Sequence, residues 1–359
     1  MYHSRSHRFL ALLWSVVVGL ALTSAALAEG KRSEPAQRDG AHDFDFGFGV
    51  WKTHIVRRVH PLTGSQESIE LNGTVTSRKV WGGRAWLEEI ETDGPNGHWQ
   101  GLSLFLYNPT ARQWTQAFFN SATVAYSPPL VGSFNGGRGE LFAPDTFNGR
   151  SILVRGVWTD ITPDAHRYEE SYSADGGATW ELVFSASKTR LAAEPPAAAT
   201  AAAKHDGSHE FDFDLGAWTT HTSRLQRPLT GSTTWAALDG RTIVNAVWGG
   251  RANLAEYEAQ GPGGHIELLA LRLYNPTSRQ WSIYFATPGV GTLSIPAVGE
   301  FRNGRVDFYD QEPINEKAVL VRFSLWGITQ DTARSEQAFS ADGGKTWEVN
   351  WINEYRRLP

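Results

Sequence analysis

The sequence predicts an all-β chain of two tandem antiparallel β-barrels, and three observations carry that expectation. Short stretches of alternating apolar and polar residues, bounded by Gly, Pro, Asn and Asp, recur along the chain at roughly the 8–12-residue spacing of sandwiches and barrels. Amphipathic helix periodicity is missing from both halves. A constant offset of 167 positions relates Phe44 to Phe211, Trp51 to Trp218, Trp81 to Trp248, Trp114 to Trp281 and Asp175 to Asp342. Repeats of propellers and solenoids recur every ~20–50 residues, so a single repetition at this distance is a duplicated domain. The 359 residues also suit two domains at a prior of ~150 each.

Residues 1–28 are expected to be a signal peptide. His3, Arg5, His7 and Arg8 precede the apolar run from Phe9 to Leu20, and Ala26-Leu27-Ala28 supplies the small-x-small cleavage pattern. The run is shorter than the ~20 residues of a spanning helix, so no membrane span is expected after cleavage, and the mature chain is expected in the periplasm or outside the cell. The formal net charge is −5 and grows more negative once Arg5 and Arg8 leave. Such a field repels phosphate backbones, so no nucleic-acid partner is expected. With no cysteine there are no disulfides, no thiol catalysis and no thiolate-bound metal.

The first barrel is expected over 41–190. Its opening, HDFDFGFGVW, leads an apolar segment through Gly49 into Trp51 and the first strand. Trp81-Gly82-Gly83-Arg84 reads as a tight turn whose glycines supply positive φ. Leu102, Leu104 and Leu106 then alternate on one face, Tyr107-Asn108-Pro109-Thr110 turns, and Trp114, Gln116 and Phe118 alternate back, which makes a hairpin. The apolar strand ILVRGVW carries Arg155, and a later strand carries Arg167 and Glu169 on one face. The copy closes with SADGGATW at 173–180. This stretch and SADGGKTW at 340–347 resemble the Asp-box hairpin of sialidase-like propellers, but one occurrence per copy marks a structural turn. An Ala/Pro-rich linker without large apolar residues spans 191–208, and the second barrel is expected over 209–359. Each copy holds a complete set of these features, so each half is expected to fold alone.

The G-x-W opening, the internal GGR turn, Y-N-P-x-x-x-Q-W and the closing S-x-D-G-G-x-T-W together resemble a calycin-like (lipocalin-like barrel) family of uncharacterised, mostly exported bacterial proteins. The resemblance implies a calycin barrel in each copy. It brings no established catalytic residues, and the lipocalin disulfide is absent.

G-x-S-x-G, Walker A and H-E-x-x-H motifs are missing. What remains is a set of polar and aromatic residues at matching places in the two copies. Glu89 and Glu91 share a strand face with Leu87, as Glu256 and Glu258 do with Leu254. If Leu87 points inward, Glu89 and Arg155 form a cavity cluster that orients a ligand; cross-strand salt bridges on the outer wall are the other reading. The expected ligand-binding residues are Trp51, Trp81, Glu89, Trp114 and Arg155, with Trp218, Trp248, Glu256, Trp281 and Arg322 in the second copy.

These residues lead to an expected function of binding a small apolar or aromatic molecule. An isomerase, cyclase or hydrolase using a cavity carboxylate is the alternative, with Glu89, Glu256, Tyr107 and Tyr274 as catalytic candidates; a structural or interaction module of the cell envelope is the third. No metal or other cofactor is expected, because His42/His209, His54/His221 and His98/His265 lack ligand spacing. A single-histidine haem site of the nitrobindin kind stays as the alternative cofactor. The copies differ at Trp86/Asn253, Trp99/Ile266 and Phe105/Arg272, so the second barrel is expected to take a more polar ligand or to act as support.

Overall fold

The computed structural model describes residues 39–359 apart from 122, 125, 196–206 and 315. The expected signal peptide and the middle of the linker lie outside the described residues. Among those described, two closed antiparallel barrels follow one another, each of ten strands. The first comprises β1 (Gly49–Arg58), β2 (Ser68–Val80), β3 (Ala85–Gly94), β4 (Gly97–Asn108), β5 (Gln113–Asn120), β6 (Leu130–Asn135), β7 (Arg138–Phe147), β8 (Arg150–Thr159), β9 (Ala165–Ser173) and β10 (Glu181–Ala192). The second repeats this order from β11 (Gly216–Leu225) and β12 (Trp235–Val247) through β13 (Ala252–Gly261), β14 (Gly264–Asn275), β15 (Gln280–Ala286), β16 (Ala297–Arg302), β17 (Arg305–Ile314), β18 (Lys317–Trp326), β19 (Thr332–Ser340) and β20 (Glu348–Arg357). No helix among the described residues is long and apolar enough to cross a membrane.

Closure follows from the first strand pairing on both edges. Trp51 lies opposite Val75 of β2 and Arg190 of β10, so the sheet has no free edge there. Tight coiling needs glycine where strands cross closely. A Cβ on Gly73 would lie 1.9 Å from the Glu91 carbonyl oxygen, and one on Gly132 would lie 2.0 Å from that of Glu140. Gly240 and Gly299 repeat both approaches in the second barrel.

The N-terminal apolar segment plugs one end. Phe44 is buried among Trp86, Phe105, Trp114 and Trp158, with ring centroids 4.7–5.1 Å away. Trp51 donates its indole N–H to the Gly47 carbonyl at 2.7 Å, and the Arg190 guanidinium lies 4.1 Å over the Trp51 ring while donating to the Phe46 and Phe48 carbonyls. Trp218 and Arg357 repeat this clasp. The Asp-box behaves as a turn: Asp175 accepts from the Thr179 amide at 2.9 Å, the Thr179 hydroxyl at 2.6 Å and the Ser173 hydroxyl at 2.7 Å. Trp180 does not close the core. It lies outside, 4.5 Å from the Arg155 guanidinium.

The direction of Leu87, on which the cavity cluster depended, is outward, and that of Leu102, Leu104 and Leu106 is the same. They lie on the outer wall of the first barrel and pack, with Trp81 and Phe119, against Trp248, Leu254, Leu269, Leu271, Leu273 and Tyr284 of the second. The contact has a pseudo-two-fold. Glu89 accepts the Trp248 amide N–H at 2.8 Å, and Glu256 accepts that of Trp81 at 2.8 Å. Arg84 pairs with Glu267, and its equivalent Arg251 bonds Gln100. Trp81 and Trp248 sit at φ 55° and 51°, a left-handed conformation costly for a bulky residue, and the carboxylate from the opposite barrel fixes each strained amide.

Each half alone would expose this wall to water, which argues against the expectation that the halves are self-sufficient. Residues 39–195 and 207–359 expressed separately are expected to aggregate or to bind each other, and the intact chain to melt in one transition. Leu104→Ala is expected to cost about 2–5 kcal/mol through the cavity left in the shared core. Calorimetry that resolved two independent transitions, with both halves soluble and monomeric, would show that the wall does not couple them.

Candidate functional site

The lumen of each barrel is read from strand parity. On β1 the inward residues are those in step with Trp51, namely Thr53 and Ile55, and on β3 they are Trp86, Glu88 and Ile90. Above the aromatic plug the first barrel encloses a cavity of about 410 Å³. Its walls are Ile55, Val75, Trp99, Phe118, Trp158 and Phe184, and its rim carries Arg57, Asp145 and Phe147.

A polar layer lines this cavity too. Lys188 donates to Glu88 at 2.6 Å, with both side chains within 4–6% of full burial. Glu88 stands opposite Ser103 in the ladder, and Gln116 on the next strand donates its amide to the Ser103 hydroxyl at 3.3 Å. Two atoms in this layer have no protein partner: the Thr53 hydroxyl and the Gln116 amide oxygen. Buried polar atoms are nearly always satisfied, so such orphans call for an explanation.

Higher up, Glu170 accepts the Tyr168 hydroxyl at 3.0 Å and lines the cavity beside Tyr172. Burial pushes the Glu170 carboxyl up, opposed by its hydrogen bonds from Tyr168 and Tyr172. Burial and Glu170 push both phenols up as well. His166 belongs to the closed end, buried 4.4 Å from the Trp51 ring, with neither ring nitrogen hydrogen-bonded. Burial, then Lys188 and Arg190, hold it neutral with a pKa of about 2.

The second barrel encloses about 350 Å³, lined by Tyr257, Phe285, Phe323, Trp351 and Tyr355. Several of its polar groups bond one another. Thr222 meets Tyr257 and Asn353 at 2.7 Å, Asn353 donates to Tyr355 at 2.9 Å, and Thr220 meets Thr242 at 2.7 Å. Arg272 pairs with Asp214 and Asn253 at the closed end. On β17, burial followed by the neighbouring Glu312 raises Asp310 to about 7.

The residues expected to bind ligand are distributed elsewhere. Trp51, Trp114, Trp218 and Trp281 belong to the plugged ends, where the Trp114 and Trp281 indoles donate to the Gly40 and Gly207 carbonyls. Tyr107 and Tyr274 stack beside them at 5.2 and 5.4 Å. Trp81, Trp248, Glu89 and Glu256 form the wall between barrels, with Glu89 also paired to Arg78. Arg155 and Arg322 lie outside, over Trp180 and Trp347. The Glu89/Arg155 cavity cluster is thus not formed, because Leu87 and Glu89 point outward. Arg167 and Glu169 pair with each other along β9, a same-strand pair, whereas the cross-strand outer-wall bridge of the other reading is the one between Glu89 and Arg78. His54, His98 and His221 face single carboxylates at the surface. Thr53, Glu88, Gln116, Tyr168, Glu170 and Lys188 were missed; the usable signal was parity with Trp51 and difference between copies.

No family model and no curated protein matches the chain. Among solved structures it is similar to a protein of unknown function from the DUF3598 family of Nostoc punctiforme, at 11% identity over 89% of this chain and 99% of that one, with a TM-score of 0.27. It is also similar to a mutant of the vaccine antigen Transferrin Binding Protein B from Haemophilus parasuis, at 7% identity over 86% of this chain and 76% of that one, with a TM-score of 0.19. Likeness at these scores carries no argument about function.

Two outcomes follow from the polar layer. Lys188→Met is expected to destabilise the chain by about 3–5 kcal/mol, since it strands the Glu88 carboxylate, whereas Glu88→Leu with Lys188→Met together should recover most of the loss in urea melts. His166 has a folded pKa far below its unfolded value near 6.5, so the unfolded chain binds the extra proton and stability falls as pH drops from 6.5 towards 2. His166→Phe is expected to flatten that slope and lower the midpoint of acid unfolding.

Proposed function

We propose that the chain is an exported, calycin-like tandem barrel whose first barrel binds a small, largely apolar or aromatic molecule, with the second barrel as its support. The observation that carries this reading is the cavity of about 410 Å³, with aromatic walls around a buried polar layer that still has unpartnered atoms. Small-molecule sites are typically concave, of about 300–1,000 Å³, mostly apolar, with a few polar groups that fix orientation. The second cavity is of similar size, but Thr222, Tyr257, Asn353 and Tyr355 bond one another there in place of the Glu88–Lys188 layer, which favours a supporting role. Proton transfer is a second reading, favoured by Glu170 between two tyrosines inside the first cavity. Its acid/base group would be Glu170 in place of Glu89 or Glu256.

Trp99 and Trp158 line the cavity, so ligand entry is expected to change tryptophan fluorescence. Fatty acids, terpenoids, aromatic compounds and oligosaccharides form the panel. Ala186→Trp, which fills the cavity, should abolish any response while leaving a cooperative thermal transition. A panel that gives no response, or responses unaltered by Ala186→Trp, would defeat the reading.

A further inference from the structure

We infer that the ligand of the first barrel is a neutral molecule with a hydroxyl group on an apolar body, held at the layer of Thr53, Glu88, Gln116 and Lys188. The inference rests on the reading above that this cavity binds a small molecule. All four side chains line the cavity and are at most 7% exposed.

Charge argues first. Lys188 and Glu88 neutralise each other at 2.6 Å, so a carboxylate or ammonium on the ligand would add an unbalanced charge to a buried layer. Hydrogen-bond capacity argues second. Gln116 spends its amide N–H on Ser103 and leaves Oε1 without a donor, which an aliphatic or unsubstituted aromatic ligand cannot supply. The Lys188 ammonium has N–H groups beyond the one given to Glu88, and the Thr53 hydroxyl has no partner. These donors need an acceptor. A hydroxyl is both donor and acceptor, so it can give its proton to Gln116 Oε1 and accept from Lys188 or Thr53.

Position argues third. Glu88 and Ser103 are ladder partners on β3 and β4, and Gln116 reaches Ser103 from β5, so Ser103 on the strand between links the carboxylate that anchors Lys188 to the residue that carries the orphan oxygen. The second barrel has lost this layer. Ala255, Ile283 and Tyr355 replace Glu88, Gln116 and Lys188, and the Tyr355 hydroxyl is bonded by Asn353.

The test compares 2-naphthol, naphthalene and 2-naphthoate on the intact chain by calorimetric or fluorescence titration. 2-Naphthol is expected to bind at least about tenfold tighter than naphthalene, and 2-naphthoate more weakly than 2-naphthol. Gln116→Met combined with Thr53→Val should reduce 2-naphthol affinity to that of naphthalene, with the thermal transition confirming a folded chain. Equal affinity for 2-naphthol and naphthalene in the unaltered protein would overturn the hydroxyl assignment and leave cavity binding standing. So would a preference that survives in a folded double variant. Failure of all three compounds to bind would overturn the assignment together with the reading on which it rests.

Discussion

The structure depends on one wall that faces apolar surface on both sides. Strands β3, β4 and β5 of the first barrel, and β13, β14 and β15 of the second, carry apolar side chains inward to the lumen and outward to the other barrel. A single barrel bearing Leu87, Leu102, Leu104 and Leu106 on its outside would present a contiguous apolar patch to water, which soluble monomers rarely tolerate. Juxtaposing two copies of the patch removes it, and the duplicated sequence supplies the second copy at a fixed tether. The pair of Glu to Trp amide bonds then sets the register of the contact, because each carboxylate of one barrel reaches a specific backbone N–H of the other.

That wall also explains what was legible in the sequence. The duplication, the all-β class, the GGR turn, the Tyr-Asn-Pro hairpin and the Asp-box as a turn all depend on local spacing and backbone chemistry, which a linear reading captures. Which face of a strand points inward depends on phase, and phase is read from alternation. In Ala85-Trp86-Leu87-Glu88 every residue is buried, so alternation vanishes and Leu87 looks as inward as Trp86. A slip of one position exchanges Glu89 for Glu88 and Arg155 for Val154, and with them the whole candidate site. Trp51 on β1, whose strand has one exposed side, was the safer reference: Thr53, Ile55 and Arg57 are in step with it, and all three line the cavity.

Differences between the copies hold the information that alternation lost. Gly47, Trp86 and Phe105 pack together at the first closed end, where a Cβ on Gly47 would lie 2.6 Å from the Trp86 ring. The matching residues Asp214, Asn253 and Arg272 form a hydrogen-bonded ion pair instead. Gly156 leaves room for the Tyr168 ring, whereas the second barrel has Phe323 and Ser335 at those places. Each exchange is a set of contacting residues that changed together. Trp86/Asn253, Trp99/Ile266 and Phe105/Arg272 were visible in the sequence as differences, and every one proves to be luminal.

The wall is common to the two copies and the lumens diverge. The polar layer of the first lumen keeps the Glu88–Lys188 ion pair and the unpartnered Thr53 hydroxyl and Gln116 amide oxygen, features that lower stability when nothing fills them. At the matching level of the second lumen Thr222, Tyr257, Asn353 and Tyr355 bond one another, and the buried ion pair there, Arg272 with Asp214, lies at the closed end instead. Both barrels contribute side chains to one apolar core, so neither lumen can open without disturbing the wall it shares. Duplication thus does more than repeat a fold: the wall constrains both copies alike, while the lumens hold a polar layer short of protein partners in one copy and a hydrogen-bonded network at the same level in the other.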